Sequence, residues 1–338
     1  MTSLTKAEFP TYQGGQDKAL WLTAALWALA LGSLVGLRFV FASGSAWGTP
    51  LAFLAVFVLV GWCQASLSNG FHEAVHRNFG KNHKEWLSLA LLGYPTFFTM
   101  QYRTVHLQHH LKGGDREDDP DFATYGRFPK SRLEMLGRFF MMGSGLAAAQ
   151  QLLTKNLRSG EVAAGRLKKD EGSGDAPATA APTGDLLGLA AVQLTLLAFF
   201  TAVFGPLFGY LYGPLFYVAL WILPLGTVAK LIKATRSFCE HGSRDRDYVL
   251  RTITGKPWQT GTLGMYGFNF HAEHHLYPWV PYASLSALHD RLASDLASEP
   301  ETHQGEYVLF EGGYFGLLVH WFKELPWRAP AESSAVQA

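Results

Sequence analysis

The sequence predicts an all-α multi-pass membrane protein, with four transmembrane helices in two hairpins and a cytoplasmic helical cap. Three observations predict it. Only 16% of the 338 residues are charged and 48% are apolar, against about 25% charged in an ordinary soluble domain. Two long stretches are almost free of charge, 19–71 with Arg38 alone and 186–229 with none. A mean hydropathy of only +0.06 then requires substantial polar blocks between the apolar ones.

A bilayer core of about 30 Å needs roughly 20 apolar residues per helix. The first stretch fits helices at about 20–41 and 51–69, around the Gly- and Ser-containing turn Ala42–Pro50. Arg38, near the far end of the first helix, can snorkel outward. Trp86–Met100 is too short to span and contains Gly93-Tyr94-Pro95, so it is expected to lie at the interface or to re-enter. Ser131–Leu153 reads as interfacial too. The stretch 154–185 turns charged and then Ala/Pro/Thr-rich, the composition of a flexible cytoplasmic insertion. The second charge-free stretch fits helices at about 186–207 and 211–232. Gly205-Pro206 and Gly213-Pro214 punctuate its middle, and Pro224 with Gly226 should kink its last helix. Neither turn contains Lys or Arg, which puts both termini and the central block in the cytoplasm. Met1–Lys18 is polar and no small-residue site closes the first apolar block, so no cleavable leader is expected. Residues 1–338 read as one domain, and the Ala/Gly-rich composition fits a bacterial inner membrane.

Composition excludes other classes. Twenty-eight Lys+Arg against 27 Asp+Glu leave a net charge of +1, without the excess a nucleic-acid binder carries. Two cysteines, Cys63 and Cys239, build neither a disulfide framework nor a Cys-rich zinc module.

The 13 histidines carry the chemistry. Three clusters stand out: His72-Glu73-Ala74-Val75-His76, His106-Leu107-Gln108-His109-His110 and His271-Ala272-Glu273-His274-His275. His-x-x-His-His occurs twice, where an unclustered composition predicts roughly 0.02 occurrences. Residues i, i+3 and i+4 share a helix face, so each cluster can aim its imidazoles at one point. Two crossings separate the second cluster from the third, so all three end at the same membrane edge. Eight imidazoles brought together would repel when protonated and call for metal. Neutral imidazole suits Fe, Zn, Cu or Ni, and eight are too many for one ion, so two metals is the economical count. His83, His289, His303 and His320 are expected to be hydrogen-bonding anchors. A rival reading starts from His72-Glu73-x-x-His76 alone, the zinc-peptidase pattern, with Glu73 as general base of an intramembrane protease. It leaves the other clustered histidines without a task.

From Leu51 to Leu292 the chain resembles the membrane fatty acid desaturase superfamily, which includes sphingolipid desaturases, hydroxylases and carotenoid ketolases. The resemblance rests on HEAVH at 72–76, HLQHH at 106–110 with Asp118-Asp119-Pro120-Asp121 beyond it, and FNFHAEHHLYPWVPYASLSALH at 268–289. It implies a non-haem di-iron centre of two Fe ions, with O2 as co-substrate, that removes hydrogens from unactivated C–H bonds. It also implies a ninth ligand just past the fourth helix, which matches His241. One iron would take His72, His76, His106, His110 and His275, and the other His109, His241, His271 and His274. Glu73, Asp118, Asp121, Glu240, Asn269 and Glu273 are candidates for orienting those imidazoles. No cytochrome b5 module is fused, so a separate donor, ferredoxin or cytochrome b5-like and with its reductase, is expected. Lys81, Lys84, Arg127 and Lys130 are candidates for docking it. The substrate implied is a lipid or fatty acyl chain, desaturated, with hydroxylation or ketone formation as the alternative outcome.

Overall fold

The structure, a computed structural model, describes residues 15–80, 82–153, 183–298 and 307–329, and these are mostly helical. Lys81, His303 and the 154–182 part of the expected insertion lie outside the described residues. In chain order, α1 is Gln16–Ala42, α2 Gly48–Val75, α3 Gln101–Lys112, α4 Arg132–Gly143 and α5 Thr183–Phe208. Then come α6 (Tyr210–His241), β1 (Leu250–Ile253), α7 (Pro257–Leu263), α8 (His271–Leu276), α9 (Tyr282–Ser298), β2 (Tyr307–Phe310) and α10 (Gly313–Glu324).

Four helices, α1, α2, α5 and α6, are long and apolar enough to cross a membrane. They bury one another through Leu34, Leu37, Val60, Phe200, Phe204 and Trp221, while Trp21, Leu51, Leu187 and Leu211 face outward and exposed. An apolar outer surface of this kind suits lipid rather than water. Two of the helices outrun their sequence-predicted ends. α2 continues past 69 to Val75, and α6 continues past 232 to His241. The charged and polar residues that suggested the end of a span lie on helix that has left the apolar zone. The first histidine cluster therefore belongs to the last turn of α2, and His241 is the final residue of α6, not a residue after it. Pro224 lacks an N–H and α6 answers with π-helical turns at Val218–Ile222 and Leu225–Ala229. Gln64 of α2 donates to the Trp221 carbonyl there at 2.8 Å.

The stretch before α3 is irregular, with a π turn at Leu89–Gly93 and a 3-10 turn at Tyr94–Thr96. Its backbone is fastened by side chains of three long helices. Trp27 Nε1 donates to Leu91 O at 2.9 Å, Gln193 Nε2 to Tyr94 O at 2.5 Å, and Trp221 Nε1 to Pro95 O at 3.1 Å. Non-helical backbone in apolar surroundings persists only where such partners are supplied. Asp185 lies inside α5, not in a linker: it is buried and accepts from Tyr94 Oη at 2.7 Å and Met100 N at 2.9 Å. Met100 is the N-cap of α3, so α5 sets where α3 begins.

The protein is not purely helical. β1 and β2 form a parallel pair, Leu250 opposite Tyr307 through Ile253 opposite Phe310. Four-residue strands this short carry no periodicity that sequence could reveal. They pin the C-terminal part of the chain beside α8. Before α8 the backbone takes two successive positive φ values, Tyr266 at 60° and Gly267 at 68°. The strained Tyr266 is held by burial and by a 2.8 Å hydroxyl bond to Thr23.

Candidate metal centre

Four elements supply the site. α2 carries His72 in its last turn and places His76 at its C-cap. α3 carries His106, His109 and His110, α6 ends at His241, and α8 opens at His271 and carries His274 and His275. All nine sequence-predicted histidines come together. His72, His76, His106, His110 and His274 offer ring nitrogens within 4.8 Å of one another, and His109, His241 and His275 form a second such set. His271 joins the second set, its Nε2 standing 2.8 Å from His241 Nε2. The division differs from the implied one at one pair: His274 belongs with the first set and His275 with the second. α8 approaches with His274 4.5 Å from His72 between ring centroids, while His275 lies 5.0 Å from both His109 and His241.

The hydrogen bonding fits a bound cation. His109 Nδ1 faces Asp119 Oδ1 at 2.8 Å and His241 Nδ1 faces the Val249 carbonyl at 3.2 Å. Each imidazole therefore donates from Nδ1 and leaves Nε2 with a lone pair. Those two Nε2 atoms face each other at 3.2 Å. In the first set His76 Nε2 and His110 Nε2 lie 2.8 and 2.9 Å from His106 Nε2. Two ligands at right angles on an ion, with metal–nitrogen bonds of about 2.0–2.1 Å, stand roughly 3 Å apart. Both nitrogens of His72 and of His274, and Nε2 of His275, are buried without a hydrogen-bond partner, a costly condition unless an ion takes them. Burial, reinforced by the neighbouring imidazoles, pushes His106, His271, His274 and His275 well below the usual histidine range. Burial, with Arg103 nearby, takes His76 down to about 4. These five rings are thus neutral, the form that binds metal. Donors of this kind fit two transition-metal ions.

The supporting groups are partly those expected. Glu73 accepts from Tyr282 N at 3.1 Å and stands 3.7 Å from His274 Nδ1, joining the first cluster to the third. His72 and His76 share their set with three further imidazoles, more protein ligands than a zinc-peptidase site uses. Glu240 is gripped by Arg236 at 2.7 Å and Tyr314 at 3.1 Å, and stands 3.6 Å from His271 Nδ1. Glu273 hydrogen-bonds none of the nine clustered histidines and instead binds His289 at 2.6 Å, Tyr307 at 2.7 Å and the Thr252 hydroxyl. Asn269 is buried but hydrogen-bonds no box histidine. Asp118 is an exposed partner of Lys112 at 3.1 Å and takes no part in the site. Asp121 makes no hydrogen bond to a box histidine, though His109 acts on it electrostatically, as do Asp119, Lys233 and Arg236. The residue that does orient a ligand is Asp119, which also receives the Tyr125 hydroxyl and Gly114 N at 3.1 Å. Burial alone would raise its carboxyl, but His109 and Tyr125 hold it below the usual range. Of the anchors, His289 reaches the third box through Glu273, and His83 and His320 stay outside the site, His83 near Phe79 O at 3.3 Å and His320 beside Glu324 at 3.3 Å.

A family model described as fatty acid desaturase matches residues 49–305 of the chain. Dihydrorhizobitoxine desaturase of Bradyrhizobium elkanii is 27% identical over 256 residues, 70% of this chain and 65% of that protein. The matched region thus spans slightly less than two thirds of that relative's length.

Proposed function

The chain belongs to the fatty acid desaturase family, and from this we propose that it is an O2-dependent di-iron oxidoreductase that introduces a double bond into the acyl chain of a lipid or fatty acid. Membership makes it an oxidoreductase of the desaturase type carried by four apolar helices. The observation that carries the finer reading is the facing of unprotonated Nε2 atoms across 3.2 Å in one set, beside a second set of five imidazoles. Two Fe ions held by these sets would supply O2 activation strong enough to break an unactivated C–H bond. Overall, two hydrogens leave the acyl chain, two electrons come from a donor and two protons from the solvent, and O2 is reduced to two waters.

The residues of the chain have four tasks. His72, His76, His106, His110 and His274 would hold one ion, and His109, His241, His271 and His275 would hold the other. Asp119 and the Val249 carbonyl keep the protons of His109 and His241 on Nδ1, so that Nε2 stays available. Glu73 and Glu240 sit beside His274 and His271 and limit how those rings can turn. Phe268, Tyr102 and Phe71 pack around His72 and His106 and keep water from the oxidising centre. The histidines themselves serve as neither acid nor base. We place both termini and the histidine clusters on the cytoplasmic side of a bacterial inner membrane, where a ferredoxin or cytochrome b5-like protein with its reductase delivers electrons.

Membranes containing the protein, given a donor, O2 and candidate lipids, are read by mass spectrometry. Loss of two hydrogens supports desaturation, gain of one oxygen atom marks hydroxylation instead, and turnover under argon overturns both. His109→Ala should remove one of two irons and all turnover. Retention of full iron and activity would sink the assignment.

A further inference from the structure

Two cations beside the centre are not fully used by the contacts described above: Arg236 holds Glu240 through Nη1 alone, and Lys233 holds no residue among the described ones. Lys233 and Arg236 lie three residues apart on α6, before His241, and so share a face of the helix. Each overlies an aromatic ring that leads to a box histidine. Lys233 Nζ is 4.2 Å from the Phe98 centroid, Phe98 lies 4.5 Å from Tyr102, and Tyr102 stacks on His106 at 5.6 Å and 15°. Arg236 Cζ is 3.7 Å from the Phe268 centroid, and that ring meets His72 edge-on at 4.4 Å.

Both cations have unused hydrogen-bonding capacity. Arg236 gives Nη1 to Glu240 at 2.7 Å, but its Nε is buried without a partner. Lys233 is partly buried and makes no ion pair or hydrogen bond among the described residues. Lys230, one turn earlier, behaves as a membrane-edge lysine should and reaches outward to Gln151 at 2.6 Å. Lys233 instead lies over the ring that leads to the second box. An ionisable group kept inside a spanning helix is costly and normally has a partner there.

We propose that Lys233 and the Nε edge of Arg236 form the headgroup subsite of the substrate and take a terminal carboxylate, between the apolar part of α6 and the first imidazole set. This rests on the reading of the centre as an oxidant of acyl chains. Glu240 is already held by Arg236 and Tyr314, and Asp121, which also feels His109, is the other carboxylate within electrostatic reach of the pair. Across from Asp121, a dianionic phosphate is disfavoured relative to a monoanion. Phe98, Tyr102 and Phe268 give the first carbons an apolar wall. A carboxylate held here puts the oxidised bond toward the carboxyl end of the chain.

Purified, iron-loaded full-length protein in detergent is titrated with octanoate, methyl octanoate and inorganic phosphate, with binding read by calorimetry. A charged hydrogen-bonded contact of this kind should make octanoate bind about tenfold or more tighter than its methyl ester. Lys233→Gln should erase that preference at unchanged iron content, and Lys233→Arg should restore it. Equal binding of acid and ester by the wild type, a preference that survives Lys233→Gln, or phosphate competing as well as octanoate each overturns the subsite. Binding needs neither O2 nor a donor. A protein that prefers octanoate but forms no O2-dependent product would therefore sink the oxidation reading and leave the carboxylate site standing.

Discussion

A buried imidazole that lends Nε2 to an ion must keep its proton on Nδ1, and that proton needs an acceptor. His109 finds it in Asp119 at 2.8 Å, a carboxylate itself steadied by Tyr125 and Gly114. Asp119→Ala should lower metal affinity at the second set, or activity, about 10–100-fold, read as metal stoichiometry after dialysis against a chelator. Asp118→Ala, which removes only the exposed contact with Lys112, should leave both unchanged. Sequence could not choose between these neighbours. Both follow the second box in the same acidic run, and the choice is made by the turn at Gly113-Gly114 that folds the run back on α3. The imidazoles themselves were legible because their identity and spacing are the chemistry; the partners were not, because any nearby carboxylate would serve.

At the scale of elements, the centre depends on how α3 and α8 are presented. α3 starts at a place fixed by Asp185, which accepts the backbone N–H of its N-cap Met100 and the hydroxyl of Tyr94. Asp185→Ala leaves both buried donors unpaired, at about 1–3 kcal/mol each. It should lower the melting temperature and the metal content together, with Asp185→Asn intermediate. An unchanged metal content would show that α3 is placed without it. α8 is six residues long and enters behind the left-handed Tyr266 and Gly267. Spacing shows that His271, His274 and His275 share a face, but the direction of so short a helix is set by those two backbone angles. That is why the exchange of His274 and His275 between the sets was invisible in the sequence. The spans were legible from the absence of charge. Their extensions to Val75 and His241 were not, because helix beyond the apolar zone has ordinary polar composition.

For the whole molecule, the far end of the chain is tied to the third box through Glu273, which gathers His289 of α9, Tyr307 of β2 and Thr252 of β1. The hydrogen bond to Glu273 raises the pKa of His289. Its stabilising contribution is therefore complete below the unfolded value of about 6.5 and fades as pH rises through the raised folded value. The melting-temperature gap between wild type and His289→Gln should be widest near about pH 6 and close toward about pH 9. A gap that grows with pH would refute the tie.

One consequence follows from α2, which passes without a break from the bilayer zone into the first box. A rigid rod of this kind answers a thinner or thicker membrane by tilting, and His72 and His76 swing with it while α8 is held from the other side by the strands. Acyl-chain length in the surrounding lipid thereby becomes a mechanical input to ligand spacing, and turnover in reconstituted vesicles should peak at one hydrocarbon thickness.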